Sequence, residues 1–117
     1  MTKILAMREY MKEQNIITID TTSNEIIKVG LKIDGKEDLL SESHDKKKAQ
    51  IVLPLIEKLL ESHQLQLADI SGIEVNLGPG SFTGVRVGVA IANTLGYILR
   101  VPINGLAVGK LVEPVYS

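Results

Sequence analysis

Gly78-Pro79-Gly80-Ser81-Phe82-Thr83-Gly84, with the run Val85 to Leu99 behind it, decides how this chain of 117 residues folds. Ahead of it, Ile73-Glu74-Val75-Asn76-Leu77 places apolar residues at every second position, the period of a strand with one buried face. Behind it the apolar residues return with helical spacing. Strand, glycine turn and helix N-terminus make a corner where backbone N–H groups and the helix dipole favour an anion. That reading gathers Gly78, Gly80, Ser81 and Thr83 into a candidate phosphate corner. A plainer reading is also open: Gly78 and Gly80 let the chain reverse sharply, and Ser81 caps the helix.

The helix carries Gly84, Gly88, Ala92 and Gly96 at steps of four, a slowly drifting stripe of small residues. Each interior glycine costs roughly 1 kcal/mol relative to alanine, so the three glycines cost about 3 kcal/mol. Another backbone packed very close would offset that. Three neighbours qualify: this chain's own sheet, another of its helices, or a second subunit. Val85, Val87, Val89, Ala90, Ile91, Leu95, Ile98 and Leu99 make the helix apolar on nearly every side, with only Arg86, Asn93 and Arg100 as a thin polar line. Such a helix is a buried one. Its glycines and bounding arginines argue against a membrane span.

Working outward, the length suits one domain with a modest core. Thirteen basic and 14 acidic residues leave a net charge of −1, so no overall field draws nucleic acid. With no cysteine there is no disulfide and no cysteine-ligated zinc, which fits a reducing cytoplasm. One phenylalanine and no tryptophan leave little aromatic platform for single strands.

Residues 1–15 read as an N-terminal extension, mobile or weakly helical, and residues 16–117 as one lobe. Ile16-Ile17-Thr18-Ile19 suits a central strand buried on both faces. Asp20-Thr21-Thr22-Ser23-Asn24 is a turn, and Ile27, Val29, Leu31 and Ile33 alternate as a second strand. Asp34-Gly35 signals a type I′ hairpin, with Lys36 to Ser43 returning as a polar edge strand. Lys46 to Gln64 is an amphipathic helix with Ile51, Leu55, Ile56, Leu59 and Leu60 on its inner face and Pro54 as a kink or restart. Val101-Pro102-Ile103 reads as a last strand, and Ala107 to Val112 as the beginning of a helix. The order β-β-β-α-β-α-β predicts an α/β fold: a five-stranded mixed sheet with helices packed on it.

For chemistry, Asp20, Thr21 and Thr22 close a buried strand. They could hold Mg²⁺ through water and meet a phosphate, or simply form an Asx turn. His44 and His63 stand nineteen positions apart with no metal-ligand spacing, so no metal site is expected. Ser81 lies outside any GxSxG elbow and lacks a histidine to activate it, so no catalytic residue is assigned.

Four segments together resemble the bacterial TsaB (YeaZ) family. They are Ile16 to Thr22, Leu53-Pro54-Leu55-Ile56, Gly78 to Gly88 and Pro102-Ile103-Asn104-Gly105-Leu106. The string GPGSFTGxRxG is the most specific of them. The resemblance implies an actin-like, RNase H-like N-terminal lobe and a part in making threonylcarbamoyladenosine on tRNA. It further implies a non-catalytic subunit that partners a TsaD-like enzyme, with a TsaE-like ATPase in the larger complex and tRNA met only indirectly. Packing against TsaD or a second copy is expected through the helices, here Leu55, Leu59, Gly84, Val85, Gly88, Ala92, Leu95 and Gly96, as a four-helix contact. The implied setting is the cytoplasm, without membrane. No cofactor is expected on the isolated chain, and ATP with Mg²⁺ only at a complex interface. Two departures are visible. The second lobe of the family is expected to be absent, so that no interlobe cleft forms from one chain, and Lys48 stands where the family often has histidine. The competing reading is a nucleotide-binding phosphotransferase or ATPase using Asp20, Thr21 and the Gly78–Gly80 turn.

Overall fold

The computed structural model describes residues 14–43 and 48–115. The extension up to Glu13, His44, Lys46, Lys47 and the side chain of Lys48 lie outside the described residues. Strand β1 (Asn15–Asp20) is central, with β2 (Ile26–Ile33) antiparallel on one side and β4 (Gly72–Val75) parallel on the other. Strand β3 (Lys36–Ser43) pairs antiparallel with β2 and forms the outer edge of a four-stranded sheet ordered β3-β2-β1-β4. Helices α1 (Lys48–Ser62) and α2 (Phe82–Leu99) pack on one face, and a single 3₁₀ turn (Leu67–Asp69) leads from α1 into β4.

Alternation within each strand builds the core. Register places Ile17 between Leu31 and Ile73, and Ile19 between Val29 and Val75. All six are buried and form two rows of side chains that floor the core. Val52, Leu55, Ile56, Leu59 and Leu60 of α1 and Val85, Val89, Ala92 and Leu95 of α2 close it from above. The Asp34-Gly35 turn has positive φ at both positions, 49° and 86°, as a type I′ hairpin requires. By length and composition α2 would pass for a membrane span, but its small-residue face is packed inside this chain.

Several expectations are corrected. Asn15, assigned to the extension, is the first residue of β1, and its side chain donates to Asp69 O at 3.0 Å. Strand β1 is buried on one face only: Ile16, Thr18 and Asp20 on the other are half-exposed, because no helix covers that side. Helix α1 runs through Pro54 without a break. Gln50, whose carbonyl a proline cannot engage, is exposed to water.

The fifth strand is absent. Val101-Pro102-Ile103 runs parallel to β4 for a single bridge, Ile73 to Ile103. Ile73 N–H donates to Pro102 O at 3.0 Å, and Asn104 N–H donates to Ile73 O at 2.8 Å. The ladder then stops, because the Asn104 side chain takes the place of a strand. Val75 N–H donates to Asn104 Oδ1 at 2.8 Å, and Asn104 Nδ2 donates to Val75 O at 3.1 Å. Nor do residues 107–112 begin a helix. Positive φ at Asn104, Gly105 and Gly109 turns the segment repeatedly. Asn93 of α2 pins it by a two-way bond to Val112, 3.0 Å in each direction.

Candidate functional site

The loop after β1 meets the turn before α2 where the sequence suggested a phosphate corner, and the structure brings Asp20, Thr21, Thr22, Gly78, Gly80 and Ser81 together. Their polar groups are spent on one another. Asp20 Oδ1 accepts from Thr22 N–H at 3.0 Å and Thr22 Oγ1 at 2.7 Å, and Oδ2 accepts from Asn76 Nδ2 at 3.2 Å. Asn76 Oδ1 in turn accepts from Gly78 N–H at 3.0 Å, and Ser81 N–H donates to Thr22 O at 2.8 Å. Ser81 Oγ caps α2 by accepting Gly84 N–H at 3.3 Å. Gly80 is required by contact: a Cβ there would lie 2.6 Å from Thr22 Cβ and 2.7 Å from Thr22 O. Thr83 is exposed on the first turn of α2 and takes no part in this knot. Partial burial of Asp20 alone would raise its pKa. Hydrogen bonds from Thr22 and Asn76 and the charge of Lys28 outweigh that and hold the carboxyl below its usual range. The amides of Thr22, Gly78, Ser81 and Gly84 thus already have acceptors inside the chain, which favours the turn reading of this corner.

Thr21 does something other than face a ligand. Its side chain is fully buried, and its hydroxyl donates to Gly84 O and accepts Gly88 N–H, the latter at 3.0 Å. Those are a carbonyl and an amide that lie one helical turn apart on α2. The hydroxyl occupies the space that a Cβ on Gly88 would need, and Ile103 does the same at Gly96, with Cδ1 at 2.6 Å and Cγ1 at 2.7 Å. Gly84, Val85, Gly88, Ala92, Leu95 and Gly96 are all buried within this chain, as are Leu55 and Leu59 of α1. All eight, expected at a partner interface, are thus turned into this chain's own interior. What comes close enough to need glycine are side chains of this same chain: Thr21, just after β1, at Gly88, and Ile103, in the segment after α2, at Gly96.

The face of the helix pair that points outward is another set, which shares only Leu95 with the buried one. Leu53, Ala90, Ile91, Thr94, Leu95 and Ile98 line an apolar groove of about 330 Å³ between α1 and α2. Ile98 is 64% exposed and Leu53 49%. The one hydroxyl in the groove, on Thr94, donates to Ala90 O at 2.8 Å. That leaves its methyl and the neighbouring aliphatic groups as the presented surface. At the ends of α2, Arg86 lies 5.5 Å from the centre of the Phe82 ring and Arg100 5.6 Å from that of Tyr97. Sequence reasoning missed this groove because it treated the small residues as the outward stripe. The signal was present: Ile91, Leu95 and Ile98 follow helical spacing on a face next to the glycines.

A second groove of about 360 Å³ crosses the uncovered face of the sheet, lined by Thr18, Asp20, Lys28, Lys32, Glu37, Glu74 and Asn76 among others. It holds one ion pair and a hydrogen-bonded carboxylate. Lys32 Nζ sits 2.8 Å from Glu74 Oε2, which raises the lysine pKa, and Thr18 Oγ1 donates to Glu37 Oε2 at 2.9 Å. His63 Nε2 and Asp38 Oδ2 lie 2.9 Å apart at the end of α1, away from both grooves.

The family model for TsaD, tRNA N6-adenosine threonylcarbamoyltransferase, matches residues 39–108. The tRNA threonylcarbamoyladenosine biosynthesis protein TsaB of Escherichia coli is 35% identical over 92 residues, covering 79% of this chain and 39% of that protein. TsaB of Bacillus subtilis is 33% identical over 95 residues, covering 79% and 40%. Among solved structures, YeaZ from Pseudomonas aeruginosa superposes with a TM-score of 0.73 at 28% identity, over 80% of this chain and 44% of that one. The chain thus spans about two-fifths of the length of the relatives it matches.

Proposed function

This chain belongs to the TsaB (YeaZ) family, and on that premise we propose that it is a non-catalytic partner subunit in threonylcarbamoyladenosine synthesis on tRNA, docking a TsaD-like subunit through α1 and α2. The observation that carries the docking surface is the apolar groove of Leu53, Ala90, Ile91, Thr94 and Ile98, in a chain whose Thr22, Gly78, Ser81 and Gly84 amides have acceptors inside the chain. Burying two such helix pairs against each other gives the four-helix contact, with Leu53 and Ile98 as its centre in place of the glycine stripe. A homodimer would use the same groove and compete with the partner. A TsaE-like ATPase joins the larger assembly, tRNA is met through the partner, and the setting is the cytoplasm. ATP with Mg²⁺ belongs to the complex interface and not to this chain alone.

Leu53→Asp and Ile98→Asp test this. Each buries a carboxylate in an apolar contact and is expected to weaken binding to the TsaD-like protein of the same organism by about a hundredfold or more. Melting temperature should change little, because both side chains are exposed. Affinity measured by calorimetry and tRNA modification with and without the chain are the readouts. Undiminished affinity in both variants refutes the docking surface. Saturable heat on titrating Mg-ATP into the chain alone would instead favour the phosphotransferase reading.

A further inference from the structure

The two edges of the sheet are guarded in different ways. Strand β3 carries Lys36, Glu37, Asp38 and Glu42, and charge on an exposed edge discourages pairing with another chain. Strand β4 offers no such defence. It reads Gly72-Ile73-Glu74-Val75, with Glu74 already paired to Lys32, and Ile73 and Val75 are apolar and buried. Its outward backbone groups are instead covered by the segment after α2. Ile73 bonds to Pro102 and Asn104, Val75 to both atoms of the Asn104 carboxamide, and Leu77 O accepts Val115 N–H at 2.7 Å. Apart from its bridge at Ile103 that segment has no regular structure. It exposes Leu106, Val108, Leu111 and Val115, the mark of a cover that is weakly packed.

We propose that the Asn104 side chain is a latch: a carboxamide standing in for a peptide group, which closes the outer edge of β4 and prevents β4 strands of two copies from pairing. A carboxamide suits this role because it supplies one donor and one acceptor with peptide-like spacing, as a neighbouring strand would. It also ends the ladder, since it offers nothing for a further strand to continue. When the latch opens, Val75 presents a bare N–H and C=O on an apolar edge, a template for a second copy.

Asn104→Ala removes both bonds, and Asn104→Asp keeps an acceptor for Val75 N–H while setting a carboxylate against Val75 O. Both are made in the Ile98→Asp background, so that association through the helices does not contribute. In Asn104→Ala the Val75 amide should exchange with deuterium at least about tenfold faster, the loss expected for one hydrogen bond or more. Amides of Ile17 and Val29 should keep their rates relative to global unfolding. Sedimentation should show species heavier than the parent that grow with concentration. Asn104→Asp should show no heavier species and a Val75 amide slower to exchange than in Asn104→Ala, because the retained acceptor still holds the N–H and the charge replaces the latch as a guard. Parental mass at all concentrations in Asn104→Ala, or unchanged Val75 exchange in that variant, overturns the proposal. Should neither variant fold, the parent chain decides. Val75 and Ile73 amides opening together and ahead of Ile17 support a latch, and opening only with Ile17 refutes one.

Discussion

Gly88→Ala is the sharpest perturbation, because helix propensity and tertiary packing predict opposite signs. Propensity alone favours alanine by about 1 kcal/mol. The structure puts Thr21 Oγ1 where the new methyl must go, in a side chain with 0% exposure that has nowhere to retreat. Crowding a filled core costs about 1–3 kcal/mol. Pushing the hydroxyl aside also breaks its bonds to Gly84 O and Gly88 N–H, and a buried hydroxyl left unpaired costs roughly 1–3 kcal/mol. After subtracting the propensity gain, a net loss of about 1–5 kcal/mol is expected, or roughly 5–25 °C in melting temperature. Thr21→Ala alone should cost less, because the Gly88 N–H and Gly84 C=O can then pair as in an ordinary helical turn. In that background the Gly88→Ala methyl keeps only ordinary contacts, Ile19 Cγ2 and the Cβ of residue 21 each at 3.5 Å, so the double variant should be more stable than Gly88→Ala alone. Urea unfolding followed by circular dichroism across the four proteins reads the coupling. Stabilisation by Gly88→Ala, or effects that add to within about 0.5 kcal/mol, would refute the reasoning. A stripe serving a foreign helix would behave differently: replacement of Gly88 would weaken association and leave the fold intact.

The Asp20 carboxyl has a pKa below its ordinary value, so its contribution to stability is full above the unfolded-state pKa near 3.8 and fades as pH falls through the lower folded value. Asp20→Asn should therefore lower stability at neutral pH and flatten its decline below about pH 4, checked by denaturant melts over a pH series. An unaltered acid limb in the variant would show that Asp20 is not held this way. Ser81→Ala should cost about 0.5–1 kcal/mol, toward the small end for an N-cap because the bond to Gly84 N–H is long at 3.3 Å. It should leave any response to Mg-ATP unchanged, and a change in that response would reinstate Ser81 as a ligand group.

Much of the fold was legible because strand and helix periods are local properties. Ile27, Val29 and Leu31 alternate, Asp34-Gly35 demands its turn, and the apolar face of α1 is visible in Leu55, Ile56, Leu59 and Leu60. The failures share a cause. A fifth strand was expected from Val101-Pro102-Ile103 because local composition permits it. Its end is decided by one side chain, Asn104, reaching Val75 twenty-nine residues earlier in the sequence. The docking stripe failed similarly. Spacing showed that something must approach Gly88 and Gly96 closely, but not that Thr21 and Ile103 of the same chain do so. Taking the small residues as the outward face of α2 also hid the exposure of Ile98.

Sequence by itself determined the first four strands, the two helices between and after them, the hairpin and the family, because these rest on spacing, turn chemistry and the string from Gly78 to Gly88. Tertiary structure alone decided which side of α2 meets solvent, that Asp20, Thr22 and Asn76 satisfy one another, and that the sheet stops at β4. Those outcomes depend on groups far apart in the chain arriving within hydrogen-bond or van der Waals reach, and no local period encodes that distance.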